Sequence, residues 1–160
     1  MNQIGDETEV EGIMFSKSHV FVREDFFRFL DLEIKRARRY QNLFGILRFE
    51  LCNSKPNGTG NQGESLKFLL KLLQDEIRET DVLGQTEKNE VMIILPYCDS
   101  AGSRIVHSRL DALVRDLRLA DNAFKINSAF VCFPMEGTDI QDILHRLVAR
   151  SSNGGLPESN

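Results

Sequence analysis

A chain of 160 residues is the size of one ordinary domain and is long enough to bury a real core. Hydrophobic residues at 41% and charged residues at 28% are the proportions of a soluble globular protein, and the net charge of −4 argues against a broad nucleic-acid-binding face. Every apolar run is far shorter than a membrane span, and the acidic, polar Met1–Val10 has no signal-peptide core. A cytoplasmic protein without membrane contact is therefore expected.

In chain order, residues 1–18 carry little pattern and are expected to form a flexible arm. Arg23–Arg39 has helical periodicity, with Phe26, Phe29, Leu30, Glu33 and Ala37 near one stripe and Lys35, Arg36, Arg38 and Arg39 in the last turn, where cations suit the dipole. Leu43–Cys52 reads as a mostly apolar strand, and Asn53–Gly63 as a loop of turn-forming residues. Glu64–Ile77 is a helix with Leu66, Leu69, Leu70, Leu73 and Ile77 inward. A short strand over Thr80–Gln85, a polar turn over Thr86–Glu90 and the strongly apolar strand Val91–Leu95, stopped by Pro96, form a hairpin. Asp99 or Ser100 caps a helix running to about Leu119 through Ile105, Leu110, Leu113 and Leu117. Phe124–Phe133 is a strand ended by Pro134, Asp139–Arg150 is a last amphipathic helix N-capped by Thr138, and 151–160 is a flexible tail. The order α-β-α-β-β-α-β-α predicts one α/β (α+β) domain over 19–150. Its mainly antiparallel sheet is flanked by helices, in a ferredoxin-like or nucleotidyl-cyclase palm arrangement.

Candidate chemistry concentrates around the hairpin. Arg78 and Asp81 stand three apart just before its first strand. Such a pair is either a local ion pair or cap, worth about 0–1 kcal/mol when exposed, or a recognition pair for a ligand with donors and acceptors on one edge. Glu50 and Glu90 are either solvated side chains or two facing carboxylates of a weak metal site. His19, His107 and His145 show no spacing or acidic partner that suggests a triad or a zinc site, so surface or packing roles are expected. Arg36–Arg39 suits an acidic partner or a solvated helix end equally. Cys52, Cys98 and Cys132, odd in number and without metal-ligand spacing, are expected to be reduced structural thiols. The Gly/Asn loop lacks the Gly-Lys-Ser/Thr ending of a phosphate-binding loop.

From Val20 to Arg150 the chain resembles the GGDEF domain of diguanylate cyclases. The opening helix has that family's Phe-x-x-x-Leu-x-x-Glu-x-x-Arg-Ala-x-Arg frame at Phe26, Leu30, Glu33, Arg36, Ala37 and Arg39. Arg-x-x-Asp-x-x-Gly-Arg-x-Gly-Gly-Asp-Glu-Phe is matched in position by Arg78, Asp81, Gly84, Gln85 and then Glu87-Lys88-Asn89-Glu90-Val91. Leu95-Pro96 and Asn127–Val131 resemble the strand end and the late strand of that family.

The resemblance implies a catalytic centre of metal-binding carboxylates and a glycine turn, and the departures fall there. The first-strand aspartates align with Glu50 and Cys52, the turn glycines with Glu87 and Lys88, and the turn aspartate with Asn89, a poorer Mg²⁺ ligand. Of the guanine-holding loop only Lys55 and Gly63-Glu64 remain. No cyclase activity is therefore expected, and no cofactor. By contrast Arg78 and Asp81 match the Arg-x-x-Asp inhibitory site that binds the product cyclic di-GMP. Arg109 falls on the position of its second arginine, with Arg104 near enough to add charge. The resemblance thus implies an inactive GGDEF-like receptor for cyclic di-GMP that signals through an unidentified protein partner, with ligand-induced dimerisation as a secondary expectation. The alternatives are an interaction scaffold that binds no nucleotide and a residual enzyme holding GTP at Glu50, Asn89 and Glu90.

Overall fold

The computed structural model describes residues 19–54, 61–117 and 124–152. The expected arm, Lys55, most of the Asn53–Gly63 loop, the last residues of the third expected helix and nearly all of the tail lie outside them. In order the elements are β1 (Val20–Phe21), α1 (Arg23–Tyr40), β2 (Phe44–Asn53), α2 (Gln62–Glu76), β3 (Val82–Glu87), β4 (Glu90–Pro96), α3 (Ser100–Arg115), β5 (Phe124–Phe133) and α4 (Ile140–Ser152). They form a five-stranded sheet in the order β1-β3-β4-β2-β5, antiparallel except where β1 runs parallel to β3. This is the expected architecture with one addition, the two-residue edge strand β1, too short to show a period in the sequence.

Strand alternation distributes β2 between two cores. Leu47, Phe49 and Leu51 face α2 and α3, packing with Leu66, Leu69, Leu73, Leu110 and Val114. Phe44 and Ile46 face α1 and α4, packing with Phe26, Leu30, Ile34, Ala37, Ile143 and Leu147. On that second face the apolar series stops after Ile46, and Arg48 and Glu50 follow toward the hairpin end.

Helix starts follow local chemistry. Asn61 caps α2 by accepting the Glu64 N–H at 3.1 Å, and Asp99 caps α3 by accepting that of Gly102 at 2.7 Å. The cap of α4 is Asp139, which accepts the Asp142 N–H at 2.9 Å. Thr138, the expected cap, instead donates its N–H to the Asp142 carboxylate at 3.0 Å, so Asp142 is held from both sides of the helix start. The helix also continues through Ser151, which was expected in the tail. Ile105, expected inside α3, is 67% exposed, because Leu110 and Val114 define the buried stripe. Phe29 likewise lies at the surface against Phe21.

The hairpin is tighter than the sequence suggests. Strands β3 and β4 extend to Glu87 and Glu90, leaving only Lys88-Asn89 as the turn, and a register shift between Gln85 and Glu87 bulges Thr86. Near its C-terminal end, the outer side of β5 is covered by side chains. Arg150 donates to the Phe130 carbonyl at 2.7 Å, Glu136 accepts the Cys132 N–H at 3.0 Å, and the two side chains pair at 2.7 Å.

Close approach of α1 to β3 requires Gly84, where a Cβ would lie 2.6–2.8 Å from the fully buried Phe26 side chain. Gly84→Ala is expected to lower unfolding free energy in urea by about 1–3 kcal/mol. Gly63→Ala, whose Cβ meets nothing nearer than 3.4 Å within α2, is expected to be neutral or stabilising by up to about 1 kcal/mol.

Candidate functional site

Two clusters of charge occupy opposite ends of the hairpin. At the entry to β3, α2 ends and the chain turns so that the Asp81 N–H reaches the Arg78 carbonyl at 3.0 Å. The Asp81 side chain is 3% exposed and accepts three times from Arg78: from its backbone N–H at 2.8 Å, from Nη2 at 2.9 Å and from Nε at 3.4 Å. The hydrogen bond donated to Asp81, working against partial burial, raises the guanidinium pKa, so Arg78 is always charged. Nη2 also lies 3.5 Å from the Pro96 carbonyl, while 58% of the Arg78 side chain faces solvent. Arg109, half-exposed on α3, reaches the same corner through Glu76. Its Nη1 donates to Glu76 Oε1 at 2.9 Å and its Nη2 to the Glu76 carbonyl at 3.4 Å.

The three expected site residues thus border one corner: Arg78 and Asp81 in direct contact, Arg109 joined through a residue two before Arg78. Glu76 was missed, its only sequence signal being an acid at a helix end. Arg104 does not join them, lying instead 5.6 Å over the Phe130 ring. Next to Pro96 the backbone of Tyr97 takes the left-handed conformation (φ 55°), and its exposed side chain borders an open cavity of about 480 Å³ shared with Gln41, Asn42 and Asp99.

At the other end, Glu50 of β2 and Glu90 of β4 are directly opposite in the ladder. Arg48 lies between their carboxylates, with Nε 2.5 Å from Glu90 and Nη1 3.5 Å from Glu50. Thr86 donates its hydroxyl to the second Glu90 oxygen at 2.5 Å. The side chains of Arg48 and Glu90 are only 7% and 10% exposed. Removing one partner of such a pair typically costs about 3–5 kcal/mol. Asn89 ties the tip to β2, with Nδ2 2.9 Å from the Leu51 carbonyl. Cys52 lies beside Glu50; its thiol accepts from Asn127 at 3.3 Å, and burial, then the charge of Glu50, raises its pKa. The carboxylates that the sequence offered for a metal site therefore face a guanidinium, and among the described residues no group of three or more His, Cys, Asp or Glu side chains could hold a metal ion. A divalent cation does not fit this donor set.

Residues 16–149 match the family model "Diguanylate cyclase, GGDEF domain". The chain belongs to the GGDEF domain family. Its domain superposes on the active GGEEF domain of a diguanylate cyclase from Vibrio cholerae with a TM-score of 0.71 at 16% identity, covering 86% of this chain and 92% of that one. The DgcB GGDEF domain of Caulobacter crescentus, solved in complex with c-di-GMP, gives 0.68 at 13% identity and 86% of both chains. Diguanylate cyclase SiaD of Pseudomonas aeruginosa, solved in complex with its activator SiaC, gives 0.68 at 13% identity, covering 96% of this chain and 64% of that one. At these identities the likeness is one of fold. No curated protein matches the chain. None of the described helices is long and apolar enough to cross a membrane.

Elsewhere in the GGDEF domain, His107 does have an acidic neighbour, reached through a hydroxyl. Ser128 donates to Asp111 at 2.6 Å, so the His107 Nε2 that lies 2.8 Å from Ser128 must itself donate. Arg115 completes the chain by donating to Asp111 at 2.7 Å. With serine in the middle this is a packing network between α3 and β5, not a nucleophilic triad. The thiol of Cys132 is pushed up to about 11, chiefly by burial, consistent with an inert thiol. Burial also lowers the His107 pKa below 6.5, outweighing the attraction of Asp111. The unfolded chain then takes up this proton first, so stability is full above about pH 6.5 and falls as the pH drops toward the folded pKa. Urea unfolding free energies measured across about pH 5–7 are expected to decline with acid in the natural chain and to decline less in His107→Gln.

Proposed function

We propose that this GGDEF domain is a catalytically inactive receptor for cyclic di-GMP and passes its state to a protein partner. The observation that carries the reading is the Arg78 guanidinium, oriented on its inner side by a buried carboxylate and more than half exposed. A planar, fixed fork of this kind suits a guanine Hoogsteen edge or a phosphate. Asp81 serves first to position Arg78 and accepts guanine N–H groups where the ligand displaces that contact. Arg109 holds the second guanine or a phosphate. Its pairing with Glu76 is exposed on both sides, worth about 0–1 kcal/mol, and yields readily to a ligand. The exposed Tyr97 beside Pro96 offers a ring face at the same corner.

Inactivity is supported at the hairpin end. Glu87-Lys88 stands where the family's turn glycines align, Asn89 is spent on β2, and Glu50 and Glu90 face Arg48. The complexes of DgcB with c-di-GMP and of SiaD with SiaC support the ligand and a partner for this chain by fold alone. One observation favours a second reading, an interaction module that binds no nucleotide: both Asp81 oxygens are already engaged by Arg78.

Isothermal titration with cyclic di-GMP separates the two. Micromolar or tighter binding, weakened about 10–100-fold in Arg78→Ala and also weakened in Arg109→Ala, is expected, together with a shift toward dimer in sedimentation. No binding at high ligand concentration would leave the interaction module. Turnover of GTP with Mg²⁺ or Mn²⁺ would overturn inactivity.

A further inference from the structure

We infer that Arg48 is a built-in cation, held where the facing strand carboxylates would otherwise require an ion, and that it makes the hairpin end independent of divalent metals. The starting point is the ladder. Glu50 and Glu90 are direct cross-strand partners, and like charges directly opposite destabilise a strand pair. Both point to the face of β2 and β4 that carries Ile46 and Met92, so burial adds to their repulsion. A positive charge between them is a condition of this register.

Arg48 meets that condition from within the chain. Two residues before Glu50, it projects to the same face and bonds both carboxylates, while Thr86 fills the remaining Glu90 oxygen. The bulge that turns Thr86 inward is itself held from outside, because Arg23 donates to the Thr86 carbonyl at 2.7 Å. The guanidinium is almost wholly buried, so it is not a transient surface counter-ion. A tethered cation cannot be diluted or chelated away. Its planar donors also occupy one oxygen of each carboxylate that a divalent ion would otherwise coordinate. The inference concerns the hairpin only and does not depend on cyclic di-GMP binding at Arg78.

The test is thermal unfolding of the full chain with and without millimolar Mn²⁺. The natural chain is expected to be indifferent to Mn²⁺ and to chelator. Arg48→Met, which keeps length and removes charge, is expected to melt about 6–20 °C lower and to regain part of that loss in Mn²⁺. Adding Glu50→Gln should abolish the recovery. Arg48→Lys, which keeps a cation, should fold and ignore Mn²⁺, supplying the comparison if Arg48→Met does not fold. A Mn²⁺-dependent rise in the natural chain that Glu50→Gln removes overturns the inference. So does an Arg48→Met response that is absent or that survives Glu50→Gln, or an Arg48→Lys variant stabilised by Mn²⁺. Failure of the receptor reading shows separately, as absent cyclic di-GMP binding by the natural chain.

Discussion

The ladders that β2 makes on both sides fix the position of every other part. Seven residues of β2 are matched to β4 and ten to β5, so β2 determines which side chains of its neighbours share a face. A slip of one residue would exchange Arg48 and Glu50 with Leu47 and Phe49. Two charges would then enter the core under α2 and α3, and two apolar side chains would meet the carboxylate of Glu90. Charge pairing at one end of the strand and hydrophobic burial along the rest select the same register.

That register also keeps the two charge clusters apart. Strand β4 runs seven residues from the hairpin turn through Pro96, or about 20 Å at the rise of an extended chain. Groups separated by more than about 7–10 Å and sharing no partners usually contribute independently to stability. Changes in the hairpin turn or around Arg48 can therefore leave the corner at Arg78 with its geometry intact. The corner is built from the end of α2, the start of β3 and one face of α3, at the opposite end of the hairpin from the turn.

Most of the fold was legible because its period signals are long. α1, β2, β4 and β5 lie within a residue or so of the bounds expected from apolar spacing and stop residues. β1 was not legible, since two residues define no period and their structure comes from pairing with β3. Ile105 and Phe29 were misassigned inward because helical phase drifts: with each stripe several residues wide, Val114 and Ile34 fit the buried arc better. Of the candidate site, the Arg78–Asp81 contact was readable from a spacing of three at a helix end. The Glu76–Arg109 pair and the Asp111–Ser128–His107 chain were not, because each joins elements that only the folded sheet brings together. The insertion of Arg48 between Glu50 and Glu90 was hidden for the same reason. In sequence it is one basic residue in an apolar strand, and its meaning depends on which residue of β4 stands opposite.

The closure of β5 bears on how two copies of this domain can meet. An edge strand offers open donors and acceptors to any extended chain, and β5 is the longest edge in the sheet. At Phe130 and Cys132 those groups are already held by Arg150 and Glu136, which also hold each other. To pair at Phe130 and Cys132, an incoming strand would have to break a half-buried ion pair and two hydrogen bonds. Growth of the sheet from molecule to molecule is thereby discouraged, and self-association is directed to surfaces other than this edge.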